Sequence, residues 1–251
     1  MIKTGFKSFC LLVICIAFTV TLLPREAHGQ VLIGMLLGDK VTSEKFHLGM
    51  AIGANFSDLS GIDDTKMRDG FFLGLIGEWH FAKHWYLQPE LGAFYYVGAN
   101  NLPLDDFPPP PEVEDILTGN EVSRRLKYFT IPVLLKYGVV DNRLHLGAGG
   151  QVGFLTSAKD KYEGTSDNGN AVEVEQDIKD YTTSTDAGLL FDIEWKFKKH
   201  ILSSSIVARY YLGLMDTIKD NPGDPVYNRV FSLLVTVPIG KIPEGDSKDN
   251  E

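Results

Sequence analysis

The sequence predicts an all-β protein, an eight-stranded antiparallel up-and-down transmembrane β-barrel. Three observations carry that expectation: period-2 alternation in eight segments, connections that alternate long and short, and aromatic residues gathered where the segments end. The stretch DAGLLFDIEWKF, residues 186–197, shows the first of these in miniature. Ala187, Leu189, Phe191, Ile193, Trp195 and Phe197 fall on one strand face, and Asp186, Asp192, Glu194 and Lys196 on the other. One face suits acyl chains and the other suits a polar interior. Backbone polar groups of strands in lipid are all paired only when the sheet closes on itself.

The first 29 residues differ in kind. Lys3 and Lys7 precede an apolar run from Phe9 to Leu23, and Ala27-His28-Gly29 places small residues at the −3 and −1 positions of a cleavage site. That is the plan of a secretory signal peptide, and the run is short for a spanning helix. Both cysteines, Cys10 and Cys15, lie inside it, so the exported chain is expected to use neither disulfides nor thiolates. The whole chain carries −9, and the signal segment is itself net positive. The remainder is therefore more acidic still, which excludes nucleic acid as a partner. Outer-membrane lipid is the expected surrounding, in a Gram-negative bacterium, with both ends of the mature chain in the periplasm.

Segment 30–45 reads as an N-terminal periplasmic element, 46–240 as the barrel and 241–251 as a polar tail. The eight strands are expected near 46–56, 71–82, 85–98, 125–138, 143–156, 186–197, 200–213 and 228–240. In the second, Phe71, Leu73, Leu75, Trp79 and Phe81 oppose Glu78 and His80. Glu90 in the third and His145 in the fifth oppose leucines. The fourth sets Phe129, Ile131, Val133, Leu135 and Tyr137 against Thr130 and Lys136. Ile206, Ala208, Tyr210 and Leu212 oppose Arg209 in the seventh, and Phe231, Leu233, Val235 and Val237 oppose Ser232 and Thr236 in the last. Glycines inside the strands suit a small, strongly curved barrel.

Long connections follow the first, third, fifth and seventh strands; short ones follow the second, fourth and sixth. Long and short loops thus sort to opposite ends. Trp79, Trp85 and Trp195 fall near the short turns, and Tyr95, Tyr128 and Tyr210 near the long loops, as two aromatic girdles would. Inside, Glu78, His80, Glu90, Lys136, His145, Asp192, Glu194, Lys196 and Arg209 are expected to form a self-satisfied polar network that plugs the lumen. The acidic loop residues, among them Asp105, Asp106, Asp160, Glu163, Glu173, Glu175 and Asp177, read as solvated; they lack the spacing of a calcium loop. No catalytic, cofactor or metal residues are expected. Two alternatives remain open. A barrel enzyme acting on lipid could use His200 with Ser203 or Ser205, and a soluble lipocalin-like barrel would bury the apolar face instead.

Several stretches together resemble the PorT-like outer-membrane barrel proteins of Bacteroidetes. They are QVLIGMLLGDK (30–40) with FHLGMAIGANFS (46–57), LQPEL (87–91), FTIPVLLKY (129–137), LHLGAGGQVGFL (144–155), ARYYLGL (208–214) and NRVFSL (228–233). The resemblance spans most of residues 30–240. It departs from outer-membrane barrels in general at the end, where the chain runs past Ile239 into KIPEGDSKDNE rather than stopping on an aromatic residue. It implies an integral outer-membrane barrel with a structural or interaction role. Because some relatives are linked to export through the type IX system, it also implies a periplasmic or secretion-system protein partner.

Overall fold

The computed structural model describes residues 46–108, 110, 118–140, 143–165, 170–198, 203–221 and 223–239. The expectations for 1–29, 30–45 and 241–251 lie outside those residues. Nine strands form: β1 (Phe46–Ser60), β2 (Lys66–Ala82), β3 (Trp85–Leu102), β4 (Thr118–Val140), β5 (Leu144–Thr165), β6 (Ala171–Asp177), β7 (Thr185–Lys196), β8 (Ser205–Gly213) and β9 (Tyr227–Ile239). Every pairing between them is antiparallel. Eight of them close a ring in the order β1-β2-β3-β4-β5-β7-β8-β9, with β9 returning to β1. β6 is outside the ring and pairs only with the far end of β5.

The charged face of each strand turns in and the apolar face turns out. Leu75, Leu91, Val133, Leu135, Leu146, Val152, Leu189, Phe191, Ile193, Ile206 and Leu233 are all exposed on the outer wall. A belt of that kind is stable in hydrocarbon and costly in water. The soluble lipocalin-like alternative requires the opposite facing and is ruled out by it. On β4 the belt runs through residues 129–139, matching the roughly 9–11 residues a tilted strand needs to cross a bilayer.

β1 to β5 are longer than the sequence pattern suggested, and β8, expected over 200–213, begins at Ser205. At the long-loop end β4 begins, and β5 ends, well beyond the belt, and β6 lies where a continuous loop over 157–185 was expected. Above the belt the alternation persists but its outer face turns polar: Lys127, Arg125 and Ser123 on β4, Lys159, Lys161 and Glu163 on β5. A polar outer face has the composition of a loop, so the sequence pattern does not mark these extensions as strand. Their inner faces enclose a second small core of Leu59, Ala99, Leu102, Val122, Tyr162 and Val226. The loops join it in order: the amide of Thr183 donates to Thr217 O (2.9 Å), and that of Lys219 to Tyr181 O (3.0 Å). The long-loop end is therefore a folded cap.

Candidate functional site: the lumen and its ion pairs

The double leucines of the sequence show how the interior is built. Leu134 is fully buried and Leu135 exposed; the same holds for Leu190 with Leu189, and for Leu234 with Leu233. One leucine of each pair meets lipid and the other fills the lumen. With Val207, Leu126, Phe72, Tyr95, Tyr128 and Tyr211 they make an apolar and aromatic filling. Tyr95 packs edge-on against Phe72 (6.1 Å between centroids) and Tyr211 (6.3 Å).

This placement corrects two girdle expectations. Tyr95 and Tyr128 are buried inside the barrel, not at the lipid surface. On β3 the cause is a register shift between Gly92 and Tyr95. Ala93 and Phe94 both face out, so the alternation resets and Tyr95 turns in. Tyr128 lies in phase with Thr130 and Lys136, and pairs with Tyr95 across the strands. The outer aromatic band consists instead of Phe71, Phe94, Phe154, Tyr210 and Phe231, with Phe56 stacked on Phe231. At the short-turn end Trp79, Trp85 and Trp195 are exposed on the wall, joined by Phe81, Tyr137 and Phe197.

Toward the short-turn end the interior becomes ionic. Arg209 on β8 donates to both oxygens of Glu90 on β3 (2.7 and 2.6 Å) and both oxygens of Asp192 on β7 (2.8 and 2.8 Å). Lys136 on β4 reaches Glu194 (2.9 Å) and Asp192 (3.2 Å). Lys196 on β7 donates to both oxygens of Glu78 on β2 (2.7 and 2.8 Å). Ser205 donates to Glu194, and Gln88 to Glu90. All these charged groups are buried. Two of the links cross the full width of the barrel. β3 and β8 stand four places apart either way round the ring, and so do β2 and β7.

Local sequence makes this possible. Gly147 sits between Lys136 and Asp192 in register on three adjacent strands. A Cβ there would come within 2.9 Å of Lys136 Cγ and 3.2 Å of Asp192 Cβ. The bare backbone is the floor over which Lys136 lies to reach its carboxylates.

His80 and His145 are at this end but outside the ion-pair chain. His80 stacks on Tyr86 (4.6 Å, 11° between planes), and His145 meets the same ring edge-on (4.9 Å). Lys196 Nζ lies 5.2 Å from the Tyr86 ring. The histidines thus line an aromatic layer beneath the carboxylates. Of the His–Ser pair considered from sequence, His200 lies outside the described residues. Ser203 Oγ accepts the Lys198 amide and donates to Ser204 O, and Ser205 Oγ is held within the lumen by Glu194 and Thr236. Both hydroxyls are buried in structural hydrogen bonds.

The cap holds its own charges. Asp160, expected among the solvated loop acids, is buried and takes a bidentate pair from Arg124 (2.8 and 2.6 Å) beneath the Phe107 ring. Sequence could have found it: Arg124 and Asp160 are each in phase with inward apolar residues, Leu126 and Ala158. Burial pushes the Tyr162 phenol up to about 12, and its hydroxyl donates to Pro108 O (2.9 Å). Outside, hydrogen bonds to Glu163 and Glu173 hold the Lys161 ammonium above its ordinary range, and the Lys159 bond holds Glu175 below its own. Among the described residues no cluster of His, Cys, Asp or Glu is arranged to hold a metal ion.

A closed eight-strand ring with a lipid-facing belt, an ion-paired interior and a cap at one end frames the comparison with known proteins. A family model described as "Outer membrane protein beta-barrel domain" matches residues 39–219. The chain belongs to that family. It is an outer-membrane protein. No curated protein matches it. Among solved structures it is similar to the attachment invasion locus protein Ail of Yersinia pestis, at 13% identity over 77% of this chain and 99% of that one, TM-score 0.37. Neisserial surface protein A is similar at 9% identity over 76% and 96%, TM-score 0.37. OprG of Pseudomonas aeruginosa is similar at 13% over 77% and 94%, TM-score 0.31.

Proposed function

We propose that this outer-membrane barrel is closed to solutes and acts without catalysis, as an interaction barrel whose working surface is its cap. The observation that carries this reading is the pair of links Arg209–Glu90 and Lys196–Glu78, each joining opposite walls. A hydrated ion crossing the lumen would have to part them, and buried charges released from their partners are costly. The aromatic and aliphatic filling beside them, Phe72, Tyr95, Tyr128 and Tyr211 among it, occupies the lumen on the long-loop side. The long-loop end faces the cell exterior in this reading, and the termini face the periplasm, because short turns sit on the periplasmic side of bacterial barrels.

Planar-bilayer recording tests closure. The wild-type protein is expected to add no steady current, and a Glu90→Ser/Arg209→Ser double variant to add one. Steady wild-type current would sink the proposal. Orientation is tested separately by labelling intact cells with a membrane-impermeant thiol reagent: Asp63→Cys, in the β1–β2 connection, labels and Lys83→Cys does not.

The finer family placement, PorT-like and from Bacteroidetes, is supported by the sequence blocks, and with it an accessory role in protein secretion. That role predicts co-purification with components of the secretion machinery that survives detergent extraction. Recovery of the barrel alone, after crosslinking in cells, would remove it.

A further inference from the structure

The lipid-facing side of β4 reads Leu135, Val133, Ile131, Phe129 and then, without a break in phase, Lys127 and Arg125. The change from apolar to cationic falls one step above the outer aromatic band. Lys127 Nζ rests 4.7 Å from the Phe94 ring and 5.6 Å from the Tyr96 ring, so its head lies at the band's upper edge. Arg125 is exposed. Its neighbour on β3 is Gly98, whose φ of +142° and approach to Arg124 O leave no room for a side chain. Next to Gly98 on the lipid side, Asn100 accepts from Arg68 Nη1 (3.0 Å) and is itself tied to Met67 O (3.0 Å). Burial first, and the Arg125 charge second, pull the Arg68 pKa down, so the two guanidinium groups share one field. Asp69 and Glu163 act on Arg68 in the opposite sense, and Lys159 first, with Arg125 helping, holds Glu175 below its ordinary range. Lys159, the β5 neighbour of Arg125, is occupied by Glu175. Among the described residues Arg125 and Lys127 make no ion pair, while the β5 lysines beside them, Lys159 and Lys161, are paired with Glu175, Glu163 and Glu173.

We propose that Arg125 and Lys127, with Arg68 behind them and the bare backbone of Gly98 as floor, bind the phosphate of a phosphorylated glycolipid in the outer leaflet. Guanidinium presents a planar fork that matches phosphate, and an ammonium adds a point charge beside it. The acyl chains of the same lipid lie against Ile131, Val133 and Phe94, so headgroup and tail are read by one continuous strip. The site rests on the outward orientation of the cap.

The test uses the full barrel in detergent and native mass spectrometry of bound lipid. The probes are bisphosphorylated lipid A, the same lipid after enzymatic removal of its phosphates, and inorganic phosphate as competitor. The wild-type protein is expected to hold phosphorylated lipid A at least tenfold more tightly than the dephosphorylated form. Arg125→Ala/Lys127→Ala should erase that preference, and Arg125→Lys should keep part of it. Inorganic phosphate at matched concentration should not compete. Equal binding of both lipids by the wild type, an unchanged preference in the double variant, or full competition by inorganic phosphate would each overturn the assignment. Equal binding of the two lipids by the wild type overturns the assignment even if the double variant fails to fold, and Arg125→Lys then remains as the positional test. Cell-surface labelling at position 63 reports orientation independently, so failure of that premise is told apart from failure of the site.

Discussion

Removing the Arg209 guanidinium should be the most damaging single change inside the barrel. It makes four charge-assisted hydrogen bonds, two to Glu90 across the lumen and two to Asp192 beside it. All three residues are buried. Arg209→Met keeps volume but leaves Glu90 with Gln88 alone, and Asp192 with Lys136 alone. Breaking a buried pair from one side costs about 3–5 kcal/mol. A double-mutant cycle with Glu90→Gln separates the link from its desolvation. We expect a coupling energy of about 1.5–3 kcal/mol, within the range for residues sharing a buried network. Arg209→Lys should recover little, since an ammonium cannot serve two carboxylates bidentately on opposite sides. The assay is urea-driven unfolding from phosphatidylcholine vesicles, followed by tryptophan fluorescence and by the heat-dependent gel shift. A coupling below about 0.5 kcal/mol, with Arg209→Met as stable as wild type, would refute the reasoning that these charges act as one strut.

Phe191→Arg, on the belt, should cost about 2–4 kcal/mol in the same vesicles, whereas Arg at an outward position above the belt such as Ser123 should cost almost nothing. Within one double leucine the two sides should differ. Leu190→Ala opens a cavity in the filling and should cost about 2–4 kcal/mol; Leu189→Ala trades one lipid-facing surface for another and should cost less. Gly147→Val should push Lys136 off its carboxylates and lower stability by at least about 2 kcal/mol, with a heat-modified band appearing at lower temperature. In the cap, the folded Tyr162 phenol ionises near 12 and the free phenol at 10.0, so its contribution is complete below pH 10 and fades toward pH 12. Limited proteolysis of the cap should accelerate across that window, and Tyr162→Phe should flatten the acceleration.

The ring and its strand facings were legible because lipid imposes period 2 without relief, and Trp79, Phe191 and Lys136 each stand where the alternation puts them. What stayed hidden has physical causes. A bulge adds a residue without changing composition, so Phe94 and Tyr95 exchange roles invisibly. Double leucines satisfy both faces at once, so Leu134, Leu190 and Leu234 gave no sign of an apolar filling. The cap strands carry polar residues outward, because they stand above the lipid, and that composition is the composition of loops. The lumen charges could be listed from phase alone, but not their partners. Which carboxylate meets which cation depends on how strands far apart in sequence face one another across a closed ring, as Glu78 and Lys196 do.

Four carboxylates, Glu78, Glu90, Asp192 and Glu194, meet three cations, Lys136, Lys196 and Arg209; Arg209–Asp192 joins adjacent strands, the Lys136 links step over β5, and Arg209–Glu90 and Lys196–Glu78 join opposite walls. Arg209 and Lys136 share Asp192, so the Arg209–Glu90 strut and the Lys136 pairs are joined in one connected layer, with Lys196–Glu78 as a second brace. A pore built from separate pairs could open at its weakest pair; a layer joined through Asp192 yields only by disturbing several contacts together. The cost of that disturbance also fixes the barrel's cross-section, because β3 and β8 are held at the span of an Arg–Glu bridge, and β2 and β7 at that of a Lys–Glu bridge. The proposed interaction role then falls to the wall above the aromatic band and the cap, where ion pairs such as Lys159–Glu175 are exposed and cheap to exchange.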